Sequence, residues 1–199
     1  MAPSSHATAV HGVTIVTTPG TPAYSFAEEY IAGMGLNPLE RRELVLDRLL
    51  GIAEFTHAHW FFGNVYETLV KIPDRVAGSE ASTELSRRPF GTGSPGRYYV
   101  PLAPLNVPLA AASLLAGWNR PETRPWLTAA AVSSAAGGAA TAYILRSLNP
   151  KLFFSPHPLD EADRKPLLAR WYRVHTVRLA ASAVAFAAID RARTVALKA

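Results

Sequence analysis

The sequence contains no cysteine, which excludes disulfide bonds, thiolate metal sites and a cysteine nucleophile. A phosphate-binding glycine loop is also missing, because the stretch GTGSPG is not followed by a suitable helix. No nucleophile elbow for a catalytic serine is present. The N-terminus lacks a basic region followed by an apolar run, so we expect no cleavable signal peptide. These absences argue against phosphate-loop enzymes and enzymes with a serine or cysteine nucleophile.

Charged residues are scarce, at 18% of the chain, whereas hydrophobic residues make up 49%. Residues 98–118 contain no charged side chain, and neither do residues 125–145. Each run reaches the roughly 20 residues that a helix needs to cross a bilayer core. A soluble helix of that length would show a charged face at helical period. The sequence therefore predicts a multi-pass integral membrane protein.

The formal net charge of +5 does not indicate a nucleic-acid partner. The Arg and Lys residues fall mainly between the apolar runs and form no basic stripe, which is typical of charges that flank membrane spans. The expected partners are membrane lipid and a lipophilic small molecule. A homo-oligomer is a further option.

Four helices are predicted from the apolar runs and the prolines. The first begins just after Pro38 and ends before Pro73. Three prolines in the first half of the second helix predict a kink there. The predicted helices cover residues 39–71, 98–118, 125–146 and 162–192, joined by connections at 72–97, 119–124 and 147–165. The predicted fold is all-α, a four-helix transmembrane bundle (39–195) preceded by an irregular N-terminal leader (1–38).

A row of polar side chains follows the first helix, although its sequence is apolar enough to be buried. At 100° per residue, His57, Trp60, Asn64 and Glu67 fall within about 80° of one another. Glu54 lies about 60° beyond His57. The first helix therefore carries a polar seam inside a segment of bilayer length.

The other three helices offer polar groups that can meet this seam. Trp171, His175 and Arg178 share one stripe of the fourth helix, Thr141 lies on a small-residue stripe of the third, and Asn106 stands in the second. Four stripes, one per helix, can converge on a single interior cavity.

A charge at the bilayer centre costs about 2.5 kcal/mol or more, so Arg178 needs a partner. The sequence leaves two candidates open, Glu67 and Glu54. It also leaves open whether such a pair is catalytic or only fixes the register of the helices.

A metal site is not predicted. Glu54 and His57 form one E-x-x-H motif, but a di-iron bundle needs a second motif and two more carboxylates. His59 points to nearly the opposite side of the helix from His57, so the two cannot chelate one ion. We therefore expect no metal and no cofactor.

Acid–base chemistry remains, because a histidine and a carboxylate in a cavity of low dielectric suit proton transfer. A buried Arg or Asn can stabilise an oxyanion. The candidate catalytic residues are His57, Glu67, His175 and Arg178, and the candidate substrate-binding residues are Glu54, Trp60, Asn64, Asn106, Thr141 and Trp171.

The chain resembles the anthrone-oxygenase-like family of small four-helix membrane proteins, most of whose bacterial members have no known function. The resemblance rests on the four-span layout, the first-helix stretch HAHWFFGNVYE, the N-P pair in RSLNPKLF, and RWYRVHTVR in the last helix. The last stretch is similar to the family's W-x-x-x-N/H-x-x-R pattern, so Trp171, His175 and Arg178 are the residues carried over. The resemblance covers roughly residues 45–190.

The resemblance implies a function. Characterised fungal members oxidise anthrones to anthraquinones with molecular oxygen and no evident cofactor. The leading hypothesis is thus a membrane-embedded, cofactor-independent enzyme acting on a lipophilic, polyketide-like secondary metabolite. The alternatives are a cyclase, epoxide-opening enzyme or isomerase acting on a polyketide or terpenoid, and a non-enzymatic membrane subunit or carrier.

Overall fold

The computed structural model describes residues 6–10, 13–17, 35–71, 95–155 and 159–198. The chain divides into a small N-terminal unit, residues 1–45, and a larger unit, residues 46–199. The predicted connection at 72–97 lies almost entirely outside the described residues, and the predicted domain boundary at residue 38 stays a prediction.

Two short strands form in the leader, where the sequence analysis expected irregular structure. Strands β1 (His6–Val10) and β2 (Val13–Thr17) pair antiparallel, with Val10 opposite Val13. The expectation of an irregular leader is wrong for these residues. The missed signal is the run VTIVT, because valine, isoleucine and threonine favour the extended backbone of a pleated sheet.

The first helix, α1 (Pro38–Tyr66), begins where the sequence predicts. The Asn37 side chain accepts hydrogen bonds from the backbone N–H groups of Leu39 and Glu40, and the Glu40 carboxylate accepts one from the Asn37 N–H. This reciprocal arrangement is a capping box, which satisfies donors that a helix start leaves unpaired. Proline at the first helical position removes one further donor.

The regular elements described in the larger unit are all helical, which confirms the predicted fold class at that level. Among the described residues, four helices have 12 residues or more; three match predicted helices closely, and the fourth covers part of the second predicted span. The helices after α1 are α2 (Pro95–Tyr99), α3 (Asn106–Gly117), α4 (Arg124–Tyr143), α5 (Asn149–Leu152) and α6 (Glu161–Ala196). Two π-helical segments, Glu67–Lys71 and Ile144–Leu148, continue α1 and α4.

The second predicted span, 98–118, is not one helix. It divides into the end of α2, a 3₁₀ turn at Ala103–Leu105, and α3. The predicted kink is therefore a break, because Pro101 and Pro104 each lack the N–H that a continuous helix would use.

The helices pack around two apolar clusters. One cluster joins Leu46 and Leu50 of α1 to Leu127 of α4 and Ile189 of α6. The other places the indole of Trp171 against Ile144 and Leu148 at the opposite ends of those helices. Along α6, His175 and Arg178 lie between the two clusters.

Among the described residues, one helix is long and apolar enough to cross a membrane, the continuous run Arg124–Leu152. Ala103–Gly117 is apolar but shorter. By length and composition these helices give weak support for membrane association.

Candidate functional site

A buried ion pair forms the centre of the candidate site. Arg178 Nη2 on α6 donates to Glu67 Oε2 at 2.5 Å, and both side chains are 7% exposed. Of the two partners that the sequence left open for Arg178, the structure therefore pairs it with Glu67. Glu54 instead pairs with Arg193, where both side chains are more exposed.

His175 extends this pair through a chain of hydrogen bonds. Arg178 Nη2 lies 2.7 Å from His175 Nδ1, and His175 Nε2 lies 2.8 Å from Thr68 Oγ1, whose own proton is donated to the Asn64 carbonyl at 2.7 Å. Because a guanidinium can only donate, Nδ1 accepts and Nε2 carries the imidazole proton. His175 is thus a neutral Nε2–H tautomer whose Nδ1 lone pair is engaged by Arg178.

The indole of Trp171 holds His175 in place. The two rings are stacked, with centroids 5.0 Å apart and planes 11° from parallel. Trp171 Nε1 donates to Asn149 Oδ1 at 3.0 Å. This fixes the imidazole plane, since neither ring can rotate without losing the stack or the hydrogen bond.

Tyr99 reaches the same carboxylate from α2. Its hydroxyl lies 3.3 Å from Glu67 Oε2 and 3.4 Å from Asn64 Oδ1, and its ring lies 5.7 Å from the Arg178 guanidinium carbon. Asn64 Nδ2 in turn donates to Ser182 Oγ at 3.3 Å. Glu67 therefore accepts from a cation on one side and from a phenol on the other.

Local backbone features place these groups. The π-helical segment begins at Glu67 and includes Thr68, and π segments often occur at functional sites because they shift side chains out of the α-helical row. Gly63 lies under the tyrosines, where an added Cβ would come 2.9 Å from a Tyr99 ring carbon and 2.4 Å from one of Tyr98. Glycine at this position lets α2 approach α1 closely enough for Tyr99 to reach Glu67.

A cleft of about 280 Å³ lies on the other side of Tyr99. Its wall is almost entirely apolar, and its polar groups include the phenol of Tyr99, the hydroxyl of Thr141 and the amide of Asn106. The lining residues are Trp60, Tyr99, Val100, Ala103, Pro104, Asn106, Val107, Gly138, Thr141, Ala142 and Leu145.

The predicted site residues thus divide into groups. Trp60, Asn106 and Thr141 line the cleft. Asn64, Glu67, Trp171, His175 and Arg178 form the buried hydrogen-bonded cluster. Tyr99, which the sequence analysis did not select, belongs to both.

His57 and Glu54 lie apart from this cluster. His57 is fully buried, with Nδ1 2.7 Å from the Ala53 carbonyl and Nε2 2.8 Å from Ser134 Oγ on α4. Both ring nitrogens are engaged, Nδ1 within α1 and Nε2 across to α4, which favours a structural role for His57. The Glu54 carboxylate raises the pKa of Arg193 through a hydrogen bond. His59 lies outside the cluster, stacked on Tyr98, as its helical angle predicts.

Three site residues escaped the sequence analysis. Tyr99 lies in a charge-free run, and nothing in the sequence indicates that it contacts Glu67. The approach of α2 to α1 depends on tertiary packing. Thr68 is moved into reach of His175 by the π-helical segment. Asn149 could have been found, because it is the first residue of the N-P pair already noted in RSLNPKLF.

No group of three or more His, Cys, Asp or Glu residues that could hold a metal ion occurs in the described part of the chain. The absence of a metal or cofactor requirement stays a prediction.

A model of the anthrone oxygenase family matches residues 94–188. No curated protein and no solved structure matches the chain. The matched residues include Tyr99, His175 and Arg178, whereas Glu67 and Thr68 precede them.

Proposed function

We propose that this protein is an integral membrane enzyme that oxygenates a lipophilic, polyketide-like metabolite by acid–base chemistry, and the similarity of residues 94–188 to the anthrone oxygenase family supports the proposal. The observation that carries the proposal is Tyr99. It lines an apolar cleft and also bonds to a buried carboxylate that belongs to an ion pair.

The exposed surface supports the membrane part of the proposal. A share of 33% of the most apolar stretch of the helix Arg124–Leu152 is buried within the fold, and the rest of that stretch is at least partly exposed. Large apolar side chains also face outward on the other helices. Hydrocarbon is the environment in which such surfaces carry no hydration cost. Examples, one from each of the four main helices, are Phe55 at 64% exposed, Leu115 at 78%, Val132 at 64% and Val184 at 50%.

Tyr99 supplies a route for a proton out of the cleft. Its hydroxyl accepts a proton from a bound substrate as it passes its own proton to Glu67 Oε2, 3.3 Å away. The net change is that substrate and carboxylate become substrate anion and carboxylic acid. General acid–base catalysis of this kind contributes about 10²- to 10⁴-fold in rate.

Arg178 makes this transfer electrostatically acceptable in a site of low dielectric. Before the transfer its counter-charge is Glu67, and afterwards it is the substrate anion beyond Tyr99. The site stays neutral overall, so no isolated charge is created where solvation is poor. Oxyanion stabilisation by a fixed guanidinium is a frequent source of catalytic rate.

The oxygenation step balances with molecular oxygen alone. Removing a proton from an anthrone gives an electron-rich anion, which reacts with oxygen, and the ring CH₂ becomes C=O. One O₂ is consumed and one water is released. The same proton transfer without oxygen would give an isomerase or cyclase, which is the alternative function.

The geometry changes the roles that the sequence suggested for the two candidate acid–base residues. Glu67 is the proton acceptor, because it is the group in contact with Tyr99. His175 is a positioning residue, since its Nδ1 lone pair is engaged by Arg178 and its plane is fixed by Trp171.

Oxygen uptake tests the proposal directly. The purified protein in detergent is mixed with anthrone, and oxygen consumption and anthraquinone absorbance are followed. We expect both in a one-to-one ratio, and we expect Tyr99→Phe to lower the rate by about 10²- to 10⁴-fold. Tyr98→Phe is the matched control, because the neighbouring hydroxyl donates to the His59 carbonyl instead.

Three outcomes would contradict the proposal. Product formation without oxygen consumption would favour the isomerase or cyclase alternative. Equal rates in Tyr99→Phe and Tyr98→Phe would remove the proton route. Neither oxygen uptake nor product above the protein-free control would remove anthrone-type oxygenation.

A further inference from the structure

We infer that the cleft binds a flat apolar ligand that presents a hydrogen-bond donor and acceptor side by side, as in a lactam or a primary amide, and that Asn106 recognises this edge. The inference rests on the site of the proposed function, but it concerns binding and does not depend on the reaction. Anthrone carries the acceptor of this edge without the donor, so it is expected to occupy the cleft as a weaker ligand than a lactam of similar shape.

Asn106 is a polar group in the cleft wall whose bonding capacity is unused. It is 1% exposed, and neither Nδ2 nor Oδ1 has a hydrogen-bond partner among the described residues. It lines the cleft at the first turn of α3, directly after the 3₁₀ turn. A buried amide left without partners is destabilising, so a partner from outside the chain explains its presence.

The neighbouring polar groups are already engaged. Thr141 Oγ1 donates to the Gly137 carbonyl at 2.8 Å, and the Tyr99 hydroxyl donates toward Glu67 and Asn64. Each can still accept a hydrogen bond, but neither can donate a second one. Asn106, unlike Thr141 and Tyr99, therefore has a donor that is not already engaged.

The chemistry of the amide defines the ligand class. A carboxamide offers N–H and C=O on one edge, and its best complement is a group with acceptor and donor in the same spacing. Discrimination is strong in such sites, because a ligand that lacks one member of the pair leaves the buried amide partly unpaired. The rest of the wall is apolar and selects a flat hydrocarbon body.

Binding of an isosteric probe pair tests the inference. Isoquinolone is a bicyclic lactam with the required edge, and isocoumarin has the same shape with oxygen in place of the N–H. Naphthamide tests whether an open-chain amide binds as well as the cyclic amide of isoquinolone. The thermal midpoint of the detergent-purified protein is measured with each probe, and affinity is measured by titration calorimetry.

We expect isoquinolone or naphthamide to raise the midpoint of the native protein, and isocoumarin to bind about tenfold more weakly or not at all. Asn106→Leu should lose the preference between isoquinolone and isocoumarin. Because the substitution removes an unpaired buried amide, its ligand-free midpoint should equal or exceed that of the native protein.

Ser113→Ala is the matched control. Ser113 is also buried on α3 with an unpartnered hydroxyl, but it does not line the cleft. It should keep the native preference for isoquinolone. Equal binding of the two isosteres, no binding of any probe, or a large fall in the midpoint of ligand-free Asn106→Leu would each overturn the inference.

Discussion

Glu67→Gln is the substitution that best separates a catalytic ion pair from one that only fixes helix register. Glutamine keeps the shape of glutamate and still accepts hydrogen bonds, but Arg178 loses its counter-charge. Breaking a buried pair costs about 3–5 kcal/mol, which for a chain of this size lowers the melting temperature by about 6–20 °C. The surviving protein should also turn over about 10²- to 10⁴-fold more slowly if Glu67 accepts the substrate proton.

A second Glu–Arg pair between the same two helices supplies the control. Glu54 of α1 bonds to Arg193 of α6, but the side chains are 26% and 39% exposed. A pair at that exposure contributes about 0–1 kcal/mol, so Glu54→Gln should shift the melting temperature by only a few degrees and leave turnover unchanged.

The double variant Glu67→Gln with Arg178→Met separates stability from catalysis. Two neutral groups replace a broken pair, so the melting temperature should return toward the native value. Turnover should not return. Native-like turnover in Glu67→Gln would refute the catalytic role, and equal melting shifts in Glu67→Gln and Glu54→Gln would refute the claim that the first pair is desolvated.

Two further predictions follow from packing and from the outer surface. Gly137→Ala should lower both the melting temperature and the affinity for cleft ligands. An added Cβ would lie 2.3 Å from the ring of Trp60, so that ring must move, and it lines the cleft. Unchanged ligand affinity would contradict this prediction. The protein should need detergent or lipid for purification, as its outward apolar side chains require; a monodisperse preparation in buffer alone would contradict the membrane proposal.

Helix positions were predictable because they depend on local signals. Pro38 and the charge-free run 125–145 mark helix limits in the sequence, and α1 and α4 follow them closely. The leader strands and the break in the second span were less accessible. The strands are indicated only by β-branched residues within a Ser- and Thr-rich stretch. The break depends on how many prolines a helix tolerates before it divides.

The composition of the site was partly predictable for a different reason. Helical angles placed Asn64 and Glu67 on one face of α1, and His175 and Arg178 on one face of α6, and the structure joins them. The angles could not choose between Glu54 and Glu67 as the partner of Arg178, because that depends on how far α1 and α6 are displaced along their axes. They also could not find Tyr99, since its position relative to α1 is set by tertiary packing against Gly63.

The candidate site combines residues of the matched range 94–188 with residues of the helix before that range. Tyr99, His175 and Arg178 lie within the matched residues, but the counter-charge of Arg178 comes from Glu67, which lies outside them. His175 cannot supply that charge, because an imidazole side chain is either neutral or positively charged. A buried guanidinium without a counter-charge is strongly unfavourable, so the matched residues alone do not make a complete site. Glu67 therefore has two linked roles in this chain. It neutralises Arg178 in the resting protein, and it is also the group placed to receive a proton through Tyr99.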